Sequence, residues 1–310
     1  MKMSLQVVFL GTAGSIPTPK RALPAIAIRR KDEIILFDCG EGAQRQMIQA
    51  GVSFHRKTKV FITHMHGDHV LGLPGIFQTM SLLDRKRKLE VYGPVGIEAF
   101  VEAVKETVQF ILTFPLEVSE VKDAGIVCKD REYEVHATLA NHVTIPCLAY
   151  ALIEKPRPGK FCPERARCLQ VPEGPLWSKL QHGSTVKLPD GRTVKPEEVM
   201  GPPRPGRKIV YTGDTRPSEG LIEFAKNADL LIHDATFDDE LRERALEDGH
   251  STPTQAAETA REAKAKRLVL THISSRYKDP SLLLEQARKV FPCVDVAEDF
   301  MKIDLALLDT

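Results

Sequence analysis

A chain of 310 residues with 42% hydrophobic content can bury a large core, either as one layered domain or as two smaller ones. Its formal net charge of +1 gives no overall attraction for nucleic acid, so any such binding must come from local patches. The six cysteines Cys39, Cys128, Cys147, Cys162, Cys168 and Cys293 lack C-x-x-C spacing, which argues against a disulfide framework or a thiolate zinc site.

The chain opens on the strand-like run 5–10, closed by Gly11-Thr12-Ala13-Gly14. That run is too short for a membrane span and ends too soon for a secretory signal, so a cytosolic location is expected. Further strands rich in Val, Ile and Leu are expected at 25–28, 34–37, 60–63 and 89–92. Helices at 41–50 and 94–110 carry apolar residues at three- and four-residue intervals, the second with proline in its first turn. Two more strands, 132–139 and 148–153, precede a change in composition. Residues 155–205 hold ten of the 21 prolines, and no helical or strand period is read across their first half. Alternation of strand and helix resumes past 206, at 208–212, 229–232, 253–264, 267–271 and 301–307. The pattern predicts an α/β architecture of two sheets face to face with helices outside, interrupted by an insertion at 154–205. Ligand candidates lie on both sides of the insertion, so the halves must close onto one site. A single layered domain over 1–310, with a protruding element, is the expectation.

The most informative six residues are His64-Met65-His66-Gly67-Asp68-His69. They follow a buried-strand run, a rigid mount. His64 and His66, two apart, point the same way if the strand geometry persists, whereas Asp68 and His69 lie past the turn at Gly67 and can face a second position. Burying these groups without an ion would cost on the order of 1–3 kcal/mol per unpaired group. Imidazole with carboxylate oxygen suits zinc, manganese or iron.

A two-ion site needs partners from other strand ends. His142, Asp214 and His272 each follow an apolar run, as His64 does. The two oxygens of Asp214 suit it to bridge a metal pair about 3.5–4 Å apart. Asp38 ends another strand and is read either as a residue orienting a ligating histidine or as a helix N-cap. His55, His136 and His182 have no supporting neighbours and are read as ordinary polar residues.

The segments FDCGEGAQ at 37–44, HMHGDH at 64–69, His142, GDT at 213–215, HDATF at 233–237, GHST at 249–252 and THISSRY at 271–277 together resemble the metallo-β-lactamase superfamily. Within it they resemble the ribonuclease Z family of tRNA 3′-processing endonucleases, over nearly the whole chain. The resemblance implies a four-layer αβ/βα sandwich with a protruding flexible arm, and two Zn2+ per subunit. His64, His66 and His142 would hold one zinc, Asp68, His69 and His272 the other, with Asp214 between them. Paired metals lower the pKa of a bound water towards ~7 and stabilise both oxygens of an in-line displacement. Asp68 would accept the proton of the attacking water. His250 resembles the family histidine beside the scissile phosphate; it also precedes a strong helix start and is compatible with simply lining it. Arg276 has the donor fork to clamp a phosphate oxygen. His233 resembles a residue that orients a ligand rather than one that ligates.

The family carries an arm between these motifs that grips the tRNA elbow, with a Gly-Pro element like Gly174-Pro175. Here residues 154–168 place Lys155, Arg157, Lys160, Arg165 and Arg167 against two acidic residues. A second basic run, Asp84-Arg85-Lys86-Arg87-Lys88, reads equally as tRNA surface or as a helix C-terminus. The family's Pro-x-Lys-x-Arg-Asn-like loop has Ala22 in place of asparagine, which puts the handling of CCA-ending substrates in question. Precursor tRNA as substrate and a homodimer, with no membrane association, complete the expectation. A small-molecule phosphodiesterase or ester hydrolase on the same fold, and a metal-braced RNA-binding protein without turnover, are the alternatives.

Overall fold

The computed structural model describes residues 5–143 and 145–307. Residues 1–4 lie outside the described residues. The chain divides into two compact units: a larger one from residues up to Ile153 and from Lys208 to Ala306, and a smaller one formed by Glu154–Arg207.

The larger unit contains two mixed seven-stranded sheets. The first runs Lys302–Leu305, Leu5–Gly11, Ala25–Arg30, Glu33–Phe37, Lys57–Phe61, Leu89–Gly93 and Leu116–Glu120 in spatial order. Its early neighbours are antiparallel and the last four strands parallel. The second runs Val294–Val296, Leu268–Thr271, Leu230–Asp234, Lys208–Tyr211, Cys147–Glu154, Tyr133–Ala140 and Gly125–Lys129, with its first four strands parallel.

Three apolar clusters define the layers. Residues of both sheets, among them Phe9, Ile28, Phe37, Phe61, Tyr150, Tyr211 and Ile232, form one cluster, so the sheets pack face to face. Phe37 lies stacked between Tyr150 and Tyr211, with centroids 6.0 and 5.9 Å away. The outer face of the first sheet packs against helices Ala43–Ala50, Leu73–Leu82 and Ile97–Thr107. The second sheet's outer face packs against Glu219–Ala225, Pro253–Glu262 and Ser281–Arg288. Helix, sheet, sheet, helix is the layering expected from the sequence.

Parallel strands stack their C-terminal ends at one edge, and the loops leaving that edge carry the chemistry. Strands Glu33–Phe37, Lys57–Phe61, Lys208–Tyr211, Leu230–Asp234 and Leu268–Thr271 all deliver polar residues there. No helix among the described residues is long and apolar enough to cross a membrane.

The smaller unit corrects the reading of its first half as lacking a period. Helices Pro163–Cys168 and Pro175–Gln181 lie in that half, each beginning on a proline; in the second half Val186–Lys187 pairs with Thr193–Val194 and the helix Pro196–Val199 also begins on a proline. Ala166, Val171, Leu180, Val186, Leu188, Val194 and Val199 make its own buried cluster, flanked by Phe161 and Trp177.

Candidate metal centre

The predicted ligand residues converge. The metal-binding atoms of His64, His66, His142 and Asp214 all lie within 4.8 Å of one another, and so do those of Asp68, His69 and His272. Asp214 Oδ2 stands between the groups, 3.7 Å from His64 Nε2, 3.4 Å from His69 Nε2 and 3.3 Å from His272 Nε2. Local backbone geometry aims these side chains. His66 precedes the short helix Gly67–Val70, which turns Asp68 and His69 away from the strand direction. Asp38 and His272 sit in the left-handed region, at φ 55° and 59°, so each strand ends in a sharp turn.

Hydrogen bonds assign which imidazole nitrogen faces the centre. His69 Nδ1 donates to Asp38 Oδ2 at 2.7 Å and His142 Nδ1 to the Gly249 carbonyl at 2.8 Å. His64 Nδ1 lies 3.0 Å from Thr63 Oγ1, and His272 Nδ1 lies 2.7 Å from Thr236 Oγ1. In His69 and His142 the Nδ1 proton is committed to an oxygen that can only accept, which leaves Nε2 turned to the interior, the arrangement metal-binding histidines use. His66 is turned the other way, its Nδ1 being 3.0 Å from His64 Nε2 and 3.4 Å from His142 Nε2. Gly249 has a second part in this: a Cβ there would meet His142 Nδ1 at 2.6 Å, and its φ of +81° disfavours any other residue.

Such a cluster suits a cation and little else. His69 Nε2 and Asp214 Oδ1 are buried without a hydrogen-bond partner, an arrangement that is costly unless an ion satisfies both. Burial pushes the pKa of His64 well below its ordinary value, and those of His66 and His142 down, so these rings are neutral. Burial would do the same to His69, but the charges of Asp214 and Asp38 raise it well above the usual histidine range. Asp214 resists the upward push of burial because His272 and His69 hold it far below the carboxylate range. Burial would also raise Asp68, yet His272 and His69 keep it well below the usual range. Asp68 Oδ2 further accepts the Ser15 backbone N–H at 3.0 Å.

A ribonuclease Z of Methanosarcina acetivorans is 49% identical over 302 residues, covering 97% of this chain and 98% of the relative. The chain belongs to the ribonuclease Z family. A second ribonuclease Z, of Methanothermobacter thermautotrophicus, is 45% identical over 306 residues, 99% and 98% of the two chains. The crystal structure of the short form of human tRNase Z superposes with a TM-score of 0.71 at 32% identity, covering 96% of this chain and 98% of the other. The family model described as beta-lactamase superfamily domain matches residues 180–273, and that of the anti-Pycsar protein Apyc1 matches 5–106. The layered sheets are the metallo-β-lactamase fold.

Around the centre of this ribonuclease Z family member, Asp234 is the residue the sequence reading missed. His233, expected to orient a ligand, turns its Nδ1 onto the Asp234 carbonyl at 2.8 Å, and its Nε2 is buried without a partner. Asp234 touches His250 instead, Oδ2 to Nδ1 at 2.9 Å, and also accepts from Thr215 N, Ser251 N and Thr236. Burial would lower His250, but the Asp234 charge and hydrogen bond raise it to about 9. A third close grouping of Asp214, His250 and His272 includes this ring, whose Nδ1 is committed to Asp234. Asp38 accepts from His69 Nδ1, and the helix beginning at Ala43 is preceded by Gly42, so Asp38 is not that helix's N-cap.

Arg276 is exposed, its guanidinium 4.8 Å from the Phe237 ring centroid and its Nε donating to Ser274. Phe237 in turn meets His250 edge-on at 6.0 Å. Ala22 contributes backbone only, its N–H donating to Asp299 at 2.7 Å and its carbonyl accepting from Thr12 and Ala13. In the run 84–88, Arg85 is a buried staple, donating to the carbonyls of Phe54, Arg56, Arg87 and Lys88. Lys86, Arg87 and Lys88 are ion-paired with Asp84, Asp32 and Glu117. In the smaller unit Lys155, Lys160, Arg165, Arg167, Gly174 and Pro175 are exposed and Arg157 is half-buried. Arg167 pairs with Glu173 at 3.0 Å and lies 5.5 Å from the Trp177 ring. Gly174, at φ +114°, starts the helix Pro175–Gln181.

Proposed function

We propose that the chain is a zinc-dependent endoribonuclease that removes the 3′ trailer from precursor tRNA, leaving a 3′-hydroxyl on the tRNA and a 5′-phosphate on the trailer. The observation that carries this reading is the convergence of seven ligand-type side chains, from strands of both sheets, in a chain that matches ribonuclease Z relatives over nearly its full length. His64, His66 and His142 would hold one Zn2+ and Asp68, His69 and His272 the other, with Asp214 shared. Bound there, the ions would supply Lewis acidity, lowering the pKa of water and stabilising charge on the transferring phosphate.

The remaining work belongs to the protein's own groups. Asp68, placed beside His69 and His272, accepts the proton of the attacking water. The bond from phosphorus to the tRNA 3′ oxygen breaks as that from phosphorus to the water oxygen forms. His250, with Nδ1 committed to Asp234, offers its Nε2 proton to the departing 3′ oxygen, and a pKa near 9 keeps that proton in place at neutral pH. Arg276, braced on Phe237, clamps a phosphate oxygen. Lys155, Arg157, Lys160, Arg165 and Arg167, with the Gly174-Pro175 turn, form the arm that binds tRNA away from the cut, through its phosphates.

Residues 1–310 serve as one functional domain with 154–205 inserted. The enzyme acts as a homodimer, the arm of one subunit reaching substrate held by the other. Exposed Leu82 (81%) and Ile111 (84%) provide apolar surface that a second copy would cover. All six cysteines are free thiols, in keeping with a reducing cytoplasm.

Asp68→Ala tests the catalytic reading. Single-turnover cleavage of a precursor tRNA should fall by about 10²–10⁴-fold, while tRNA affinity changes only a few-fold. A variant that cuts at the wild-type rate, or a wild-type protein that binds tRNA and never turns over, would defeat the proposal.

A further inference from the structure

Two buried threonines occupy equivalent places in the centre. Thr63 Oγ1 lies 3.0 Å from Asp38 Oδ2 and 3.0 Å from His64 Nδ1. Thr236 Oγ1 lies 2.6 Å from Asp234 Oδ1 and 2.7 Å from His272 Nδ1. Both threonines are buried, Thr63 wholly and Thr236 to within 4%.

A hydroxyl has one proton to give, and each aspartate only accepts. Asp38 already takes Thr63 N–H, His69 Nδ1–H and Tyr211 O–H, and Asp234 takes Thr215 N–H, Ser251 N–H, Thr236 N–H and His250 Nδ1–H. The threonine proton is therefore spent on the carboxylate, and the oxygen lone pair left over can only receive a proton from the histidine. We propose that Thr63 and Thr236 are positioning residues that fix the Nδ1–H tautomer of His64 and His272, leaving each Nε2 free to bind a metal ion. This rests on reading those histidines as ligands.

The relays also link parts of the site. Asp38 holds His69 directly and His64 through Thr63, one residue from each ligand group. Asp234 holds His250 directly and His272 through Thr236, joining a ligand to the proton donor. A threonine replaced by valine keeps its volume but leaves the histidine Nδ1 without an acceptor, so the ring gains by flipping its proton to Nε2, where it blocks the metal.

The test uses full-length Thr63→Val, Thr236→Val and the corresponding serine variants, with Zn2+ titrated against a chromogenic chelator to give the number and affinity of bound ions. Each valine variant should lose about 10–100-fold in affinity for at least one ion, and each serine variant should recover it. Folded valine variants that bind every ion as the wild type does, or serine variants as impaired as valine, overturn the inference. Nitrogen-15 spectra of the imidazoles in the metal-free wild-type chain decide it independently of variant folding: Nδ1–H on His64 and His272 supports it, Nε2–H overturns it. A wild-type chain that takes up no Zn2+ defeats the ligand reading itself, and the imidazole spectra still decide the tautomers.

Discussion

Replacing Asp38 separates folding from metal binding, because alanine and asparagine fail differently at this position. The carboxylate is wholly buried and accepts four hydrogen bonds: Thr63 N at 2.7 Å, Thr63 Oγ1 at 3.0 Å, His69 Nδ1 at 2.7 Å and Tyr211 Oη at 2.8 Å. Asp38→Ala strands all four donors. At about 1–3 kcal/mol for each buried unsatisfied group, the loss is roughly 4–12 kcal/mol, against about 5–15 kcal/mol for the whole fold. The residue's φ of 55° adds strain for alanine, whereas asparagine tolerates it. Asp38→Asn keeps the shape and one acceptor oxygen, so it should remain folded and lose about 1–3 kcal/mol. Its amide N–H then faces His69, which must move its own proton from Nδ1 to Nε2, the atom turned to the metal. Zinc affinity should therefore fall by about 10–100-fold. Urea unfolding monitored by circular dichroism, together with zinc titration, measures both quantities. Asp38→Asn with wild-type zinc affinity, or Asp38→Ala with wild-type stability, would refute the reasoning.

Other consequences are equally direct. With His250 raised to about 9, the donor form is complete at neutral pH and is lost as pH rises, so cleavage should fall along an alkaline limb at or below about 9, bound cations only lowering it. Asp234→Asn removes the charge that raises this pKa, and the limb in a pH–rate profile should shift to lower pH; an unmoved limb would take His250 out of the proton transfer. Gly249→Ala places a methyl 2.6 Å from His142 Nδ1, and should lower zinc affinity while leaving the remote core intact, as read by zinc titration and thermal unfolding. Replacing Lys155, Lys160 and Arg165 with alanine should flatten the slope of log affinity for tRNA against log salt by about 0.7–0.9 for every phosphate that is no longer neutralised. Hydrolysis of a small chromogenic phosphodiester should be unchanged by those replacements; equal loss of both activities would count against an arm that acts on tRNA alone.

The residues that converge on the centre were legible because each is announced locally. His64 to His69 are contiguous, and His142, Asp214 and His272 each follow an apolar run that the fold makes a strand. Asp234 and the two threonines gave no such signal. Their task depends on which strands are neighbours: parallel pairing sets Asp234 opposite Thr271, the residue before His272, and no single stretch of sequence contains that pairing. The HDATF motif pointed to the right place but to the wrong neighbour, His233 rather than Asp234. Strands Leu116–Glu120 and Gly125–Lys129 escaped notice because they are half-exposed and carry charged residues, which leaves no continuous apolar run. In the insertion, proline density suggested loop, whereas three of those prolines open helices, the one helical position where a missing N–H costs nothing.

The central claim is tested most directly by incubating the purified, zinc-loaded protein with a precursor tRNA bearing a 3′ trailer and analysing the ends of the products. A single cut after the acceptor stem, with a 3′-hydroxyl on the tRNA and a 5′-phosphate on the trailer, is the predicted result. A precursor left intact with zinc and with other divalent metals, or cut to leave phosphate on the tRNA 3′ end, would contradict it.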